Sequence, residues 1–130
     1  MTTVVRFRIA GGEYAVPVEQ AREVRPAAEL VPLATSREGV AGLLPWSGGA
    51  LSVASVLGAG GLHVLVLDSA AGPFGLLADE VTGVASLDRD GGGGAPSGQE
   101  LALVSGTVRT PDGHLVQLVD VAALGGWLRR

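Results

Sequence analysis

The 130-residue sequence contains no cysteine, no lysine and no asparagine. Without cysteine there is no disulfide framework, no Cys-ligated zinc site and no thiol nucleophile. Without lysine there is no Walker phosphate loop, no Schiff base and no Ser–Lys dyad. Aromatic residues make up 4% of the chain, so a core must be built from Val, Leu and Ala. Charge is scarce too: 17% of residues are charged, the net charge is −4, and all nine basic residues are Arg. That balance gives phosphate-backbone binding little electrostatic support. What is abundant is apolar surface and chain-breaking residues, with mean hydropathy +0.40, 21 Gly and 7 Pro. Such a composition argues against a helical bundle and for many short strands joined by tight turns.

Residues Gly39 to Leu67 carry no charge, long enough to raise the question of a membrane span. Seven Gly, Pro45 and three Ser cut this stretch into pieces too short for a spanning helix, and no basic cluster flanks it. The N-terminus, MTTVVRFRIAGGEYAV, lacks the apolar run and cleavage site of a signal peptide. The expectation is a cytoplasmic chain with no direct membrane insertion.

Strand signals recur along the chain. Val5, Phe7 and Ile9 alternate with Arg6 and Arg8, and Tyr14, Val16 and Val18 alternate with Ala15 and Pro17, a hairpin around Gly11-Gly12. Pro17 has no N–H, so its strand is an edge or turns that position away from its neighbour. Val18, Ala21 and Val24 recur every three residues, the pattern of a single helical turn. Glu29 to Leu33 is short and extended because of Pro32. Strands are then expected at 42–46, 50–57, 62–67 (buried on both faces), 74–81, 83–87, 101–109 and 115–119. Residues 88–98, DRDGGGGAPSG, read as a mobile surface loop. Pro111-Asp112-Gly113 marks a hairpin turn. Asp120 can cap a terminal helix carrying Val121, Leu124 and Leu128, weakened in its middle by Gly125-Gly126. Roughly nine short strands, one helical turn and one helix fit two small β-barrels.

Chemistry is thin. His63 lies in an apolar strand and reads as a buried structural histidine, and His114 as an exposed turn residue. Neither joins a metal-ligand spacing. Asp79 and Glu80 are adjacent, so on a strand they face opposite ways and share no site. No nucleophile-elbow motif is present, and no catalytic residue, cofactor or metal is expected. Arg6, Arg8, Arg22 and Arg25 are the one basic concentration, offset by Glu13, Glu19 and Glu23 and without stacking aromatics, so no nucleic-acid partner is expected. What remains is an interaction module with part of its apolar surface exposed.

Four segments in order resemble the CheW-like domain family of chemotaxis coupling proteins. FRIAGGEYAVPVEQAREVR (Phe7 to Arg25) is similar to the family's opening hairpin. VAGLLPWSGGALSVASVLG (Val40 to Gly58) is similar to its Gly-Val-Ile-Asn-Leu-Arg-Gly-x-x-Leu-Pro-Val-Val-Asp-Leu segment. HVLVLDSAAGPFGLLADEVTGVASL (His63 to Leu87) resembles its Gly-Leu-Leu-Val-Asp-x-Val-x-x-Val stretch. SGTVRTPDGHLVQLVDVAAL (Ser105 to Leu124) resembles the closing hairpin and last helix. The resemblance implies a mainly β, CheW-like fold: two five-stranded SH3-like barrel subdomains sharing an apolar core, with a short C-terminal helix. The expected layout is one domain over 1–130, divided near residues 4–61 and 62–124.

It also implies a non-catalytic adaptor joining the cytoplasmic tip of a chemoreceptor to the regulatory domain of the CheA histidine kinase, and recruitment to membrane-associated receptor arrays. By position in the motifs, Val18, Ala21, Val24, Val81 and Thr82 would line the receptor groove. Glu23, Leu30, Val31, Pro32 and Leu33 would meet the kinase. Plain core is the competing reading for Val18, Val24 and Val81. The family's Asn-Leu-Arg-Gly is replaced by Pro45-Trp46-Ser47-Gly48, so the Arg is missing and Glu23 loses the ionic partner the family would supply. Ser52, Ser55 and Gly58 to Gly61 also depart from the family pattern. Two other readings stay open: a divergent CheW-fold interaction domain outside chemotaxis, and a small β-barrel binding a ligand or single-stranded nucleic acid.

Overall fold

The computed structural model describes residues 2–33, 37–58, 60–87, 103–111 and 113–129. The loop expected over 88–98 and Asp112 of the Pro-Asp-Gly turn lie outside the described residues. Strands β1 (Thr2–Ile9) and β2 (Gly12–Pro17) form the opening hairpin, with Ile9 paired to Gly12. The two-residue loop is therefore Ala10-Gly11, one position earlier than expected, and both have positive φ (51° and 84°) as this turn type requires. β2 is interior to its sheet, but its second neighbour pairs only with Tyr14 and Ala15, so Pro17 lies beyond that ladder and leaves no donor unmatched there.

The expected helical turn is only partly present. A 3₁₀ turn covers Val18–Gln20, and β3 (Ala21–Pro26) follows at once. Ala21 and Val24 are strand residues because this segment pairs antiparallel with β6 (His63–Ser69), and those ladder bonds override a three-residue spacing. Glu29 closes a second 3₁₀ turn, Ala27–Glu29, rather than starting an extended segment. The remaining strands are β4 (Val40–Trp46), β5 (Gly49–Ala54), β7 (Gly72–Ala78), β8 (Glu80–Leu87), β9 (Val104–Arg109) and β10 (Leu115–Val119). Helix α1 (Val121–Leu128) closes the chain.

The strand expected over 74–81 breaks at Asp79. Its carboxylate accepts from the Ala10 backbone N–H at 2.8 Å, and its own N–H donates to Arg8 at 2.9 Å, stitching the turn of the first hairpin to the start of β8. Val81 thus belongs to β8.

Two five-stranded sheets result, in the orders β8-β1-β2-β10-β9 and β3-β6-β7-β5-β4. The second sheet uses one continuous stretch, whereas the first is assembled from both ends of the chain. Sheet membership therefore does not follow the expected division at residue 61. Each sheet contains one short parallel pairing, β2 with β10 and β5 with β7.

Both sheets curl. In the second, the Arg22 guanidinium on β3 sits 5.7 Å from the centre of the Trp46 ring on β4, at the opposite edge. Two backbone bonds join Val31 and Leu43 (2.7 and 2.9 Å), tying the segment after β3 to β4. In the first sheet, Leu87 of β8 and Val108 of β9 share one cluster with Val4, Ala15, Val116 and Leu118.

Alternation sorts the core into three clusters. Val64 and Val66 join Leu44, Leu51, Val53 and Leu77 inside the second sheet, while Leu65 and Leu67 point the other way into the seam between the sheets. There they meet Val5, Phe7, Ile9, Tyr14 and Val16 of the first hairpin, with Phe74, Leu76, Val121 and Leu124. Asp120 caps α1, accepting from the Ala123 N–H at 3.0 Å. Gly125 serves packing: a Cβ there would lie 3.1 Å from the Phe74 ring and 3.2 Å from Ser69 Oγ.

Candidate functional site

Two of the expected groove residues lie against the cluster between the sheets. Ala21 from β3 and Val81 from β8 are half-buried and pack on the margin of the same central cluster. Val18, at the start of the 3₁₀ turn, is 37% exposed. Thr82 is the extra residue of a bulge, because Val81 pairs with Phe7 and Gly83 with Arg6; its hydroxyl donates to the Arg6 carbonyl at 3.1 Å. Val24 pairs with Leu65 but exposes its side chain on the free edge of the second sheet.

One residue was not singled out in the sequence. Val84 is 66% exposed, and it pairs with Val5 as Val81 pairs with Phe7. Since Val5 and Phe7 share a face of β1, the bulge puts Val81 and Val84 on one face of β8. A strict two-residue period hides this, because Val81 and Val84 are three apart.

The second expected set is less uniform. Leu30 packs against the inner cluster of the second sheet, whereas Val31 (51%) and Leu33 (40%) are exposed beside Pro32. Gly42 is what lets Val31 approach. Its φ is +147°, and a Cβ would stand 2.3 Å from the Val31 carbonyl oxygen. The family's arginine is absent, and Glu23 takes an ionic partner from its own strand: Arg25 reaches Glu23 at 3.2 Å and Glu29 at 2.6 Å. Hydrogen bonds to Glu29 first and Glu23 second hold the Arg25 guanidinium above its ordinary pKa. At the Pro45-Trp46-Ser47-Gly48 turn a cation is supplied from another strand, by Arg22, which also contacts Asp68 at 3.5 Å.

The titratable groups are dispersed. His63 is half-buried at the first position of β6, not enclosed within the strand as expected. His114 is exposed, as its turn position implied, and its Nδ1 lies 2.9 Å from Glu13 Oε2. Asp79 bonds the first hairpin while Glu80 faces Arg8 at 3.4 Å, so the adjacent carboxylates have separate tasks. Among the described residues no three His, Asp or Glu side chains gather to hold a metal ion, and no helix is long and apolar enough to cross a membrane. A mostly apolar cavity of about 250 Å³ lies on the inner cluster of the first sheet, between Val4, Leu87, Leu118 and the first turn of α1, not at Ala21 and Val81.

These features define a mainly β domain of two curled sheets around a shared core, presenting aliphatic side chains on its edges. The sequence matches the CheW-like domain model over residues 3–128, and the chain belongs to that family. Its fold is similar to that of the scaffolding protein TtCheW from Thermoanaerobacter tengcongensis, with a TM-score of 0.80 and 19% identity over 95% of this chain and 91% of that one. No curated protein matches the sequence.

Proposed function

We propose that this chain is a non-catalytic adaptor of a bacterial chemosensory system, coupling the cytoplasmic tip of a chemoreceptor to the regulatory domain of a CheA-type histidine kinase. Membership of the CheW-like family over nearly the whole chain is the observation that carries this reading. The seam residues support it. Ala21 and Val81 are half-buried against the cluster between the sheets, Val18 and Val84 expose aliphatic side chains, and apolar side chains so presented are the kind that take the apolar face of a helix. Thr82 contributes the bulge that puts Val81 and Val84 on one face of β8, and Val24 exposes a further aliphatic side chain on β3.

The kinase would meet Val31, Pro32 and Leu33, held against β4 by the Val31–Leu43 bonds, with Leu30 as their anchor in the core and Glu23 on the neighbouring strand. Such a protein would reside on the cytoplasmic side of receptor arrays. The test is co-sedimentation of the full chain with receptor tips and with the kinase regulatory domain, using Ala21→Arg as the probe. Loss of receptor binding with a thermal midpoint near that of the parent is the expected result. No binding of the parent chain to either component would remove the coupling role.

A further inference from the structure

The two sheets repeat one pairing pattern. The hairpin of β1 and β2 pairs Val4 with Pro17 and Ile9 with Gly12. Sixty positions on (4 to 64, 17 to 77), the hairpin of β6 and β7 pairs Val64 with Leu77 and Ser69 with Gly72. The strands beside them repeat as well: Phe7 with Val81 and Arg6 with Gly83 across one bulge, Leu67 with Ala21 and Val66 with Glu23 across another. A further bulge recurs where Leu118 pairs with Gly106 and Val119 with Val104, matched by Val53 with Gly42 and Ala54 with Val40. Each paired position in one sheet therefore has a counterpart in the other, and the inner clusters compare residue by residue.

Val4, Leu87 and Leu118 of the first cluster correspond to Val64, Ala27 and Val53 at the second. In the second sheet Leu77 belongs to the cluster, and Leu30, three residues past Ala27, packs onto it. In the first sheet Pro17 stands where Leu77 does. Sixty positions after Leu30 (30 to 90) the sequence has Asp90, in a run from Asp88 to Gly94 without an apolar side chain. Among the described residues the first cluster thus lacks both leucines, and there the cavity of about 250 Å³ is lined by Val4, Pro17, Leu87 and Leu118, with Val121 of α1. All of these except Pro17 are buried, whereas Ser105 and Ala122, which also line it, are exposed and mark its mouth.

The polar groups limit what fits. Gln20, on the 3₁₀ turn after β2, lines the cavity, and its amide makes no hydrogen bond among the described residues. The Ser105 hydroxyl donates to the Leu118 carbonyl at 3.4 Å, and Asp120 accepts from the Ala123 N–H at 3.0 Å. Asp120 is the one ionisable side chain of the described lining, and the helix N-terminus beside it offsets its charge. A ligand charge of either sign would leave water for aliphatic walls without a matched partner. Apolar cavities of about 150 Å³ already take a benzene-sized molecule, so this one suits a six-carbon chain or a substituted ring.

We propose that this cavity binds a small uncharged amphipathic molecule, its aliphatic chain or ring against Val4, Leu87, Leu118 and Val121, and one hydroxyl or carbonyl group on the Gln20 amide. No lining residue is among those assigned to the receptor or the kinase, so the inference does not depend on the adaptor reading.

The probe is 1-hexanol, followed by methyl and amide NMR of the full chain and by thermal unfolding. Expected are saturable shifts at Val4, Leu87, Leu118, Val121 and the Gln20 side-chain amide, and a midpoint raised by about 5 °C at ten times the dissociation constant. Hexanoate and hexylammonium, with the same chain and a charge, should bind at least about tenfold more weakly. Pro17→Leu copies Leu77 into the first sheet and should abolish binding while keeping or raising the midpoint. Gln20→Ala should weaken hexanol roughly threefold to tenfold with little change in the midpoint, and it decides the matter if Pro17→Leu does not fold. No saturable shift, shifts away from these residues, or equal affinity of Gln20→Ala and the parent would overturn the site. A charged probe binding as tightly as hexanol would overturn the uncharged class. Contacts between the Val4 or Leu118 methyls and any of residues 88–102 in the ligand-free chain would overturn the proposal as well, because the chain would then close its own cavity.

Discussion

Gly42→Ala tests how the candidate kinase-facing segment is held. The Cβ of an alanine there would stand 2.3 Å from the Val31 carbonyl oxygen and 3.0 Å from Pro32 Cα. Both obstacles are backbone, so no side-chain rotation relieves them. The φ of +147° adds strain of roughly 1–3 kcal/mol for any residue with a Cβ. Moving the segment away breaks the two Val31–Leu43 hydrogen bonds, each contributing about 0.5–1.5 kcal/mol. The sum is about 2–6 kcal/mol, a large share of the roughly 5–15 kcal/mol that stabilises a domain. For a chain of this length each 1 kcal/mol lowers the thermal midpoint by about 4 °C, so the expected drop is roughly 8–24 °C. Thermal unfolding followed by circular dichroism reads it, and amide exchange at Val31 and Leu43 shows whether the segment has detached. The control is Gly106→Ala, where a Cβ meets nothing within 4 Å and the midpoint should barely move. If Gly42→Ala melts within about 2 °C of the parent and Val31 keeps its protection, the argument that glycine holds this closure is wrong.

Other outcomes follow from the packing and the charges. Leu65→Ala removes a fully buried side chain from the cluster between the sheets and should cost about 2–5 kcal/mol, seen as a lower urea midpoint with an unchanged slope. Asp120→Ala removes the cap of α1 and should cost about 1 kcal/mol; no shift in the midpoint would mean that packing alone holds the helix. At Glu13, burial pushes the carboxyl pKa up, but hydrogen bonds from His114 and Arg6 and their charges outweigh it and hold the group below its ordinary value of 4.5. A carboxyl depressed in the folded state adds stability that is complete above its unfolded pKa and is lost as pH falls through the folded one. The stability gap between the parent and Glu13→Gln should therefore shrink as pH drops below about 4.5, by less than about 1 kcal/mol for a partly exposed pair. A gap independent of pH between 6 and 3 would exclude the ion pairs as its source.

The hairpin of β1 and β2, the doubly buried β6 and the Asp120 cap were all legible, because each is a local pattern of alternation, continuous apolarity or a capping side chain. Val24 was misread, since a three-residue spacing is identical in a helical turn and in a 3₁₀ turn running into a strand. Only pairing with β6 distinguishes them. Val84 was hidden by the Thr82 bulge, which exists only against β1. The ionic partner of Glu23 is Arg25, two residues along the same strand, in place of the arginine that the family motif would supply.

The shortage of lysine, cysteine and aromatics, with the surplus of glycine and small aliphatics, determined that this would be a strand-rich chain, and the order of its four segments pointed to the family. Those are properties of composition and of local pattern, and they do not depend on which strand lies beside which. The tertiary structure decided that both ends of the chain build one sheet, that Ala21 and Val81 both pack against the cluster between the sheets, and that Arg6 and Arg8 face a cleft with Glu13 and His114. Residues 100 positions apart in sequence become neighbours only through sheet registers, which arise from long-range pairing and burial rather than from any window of sequence.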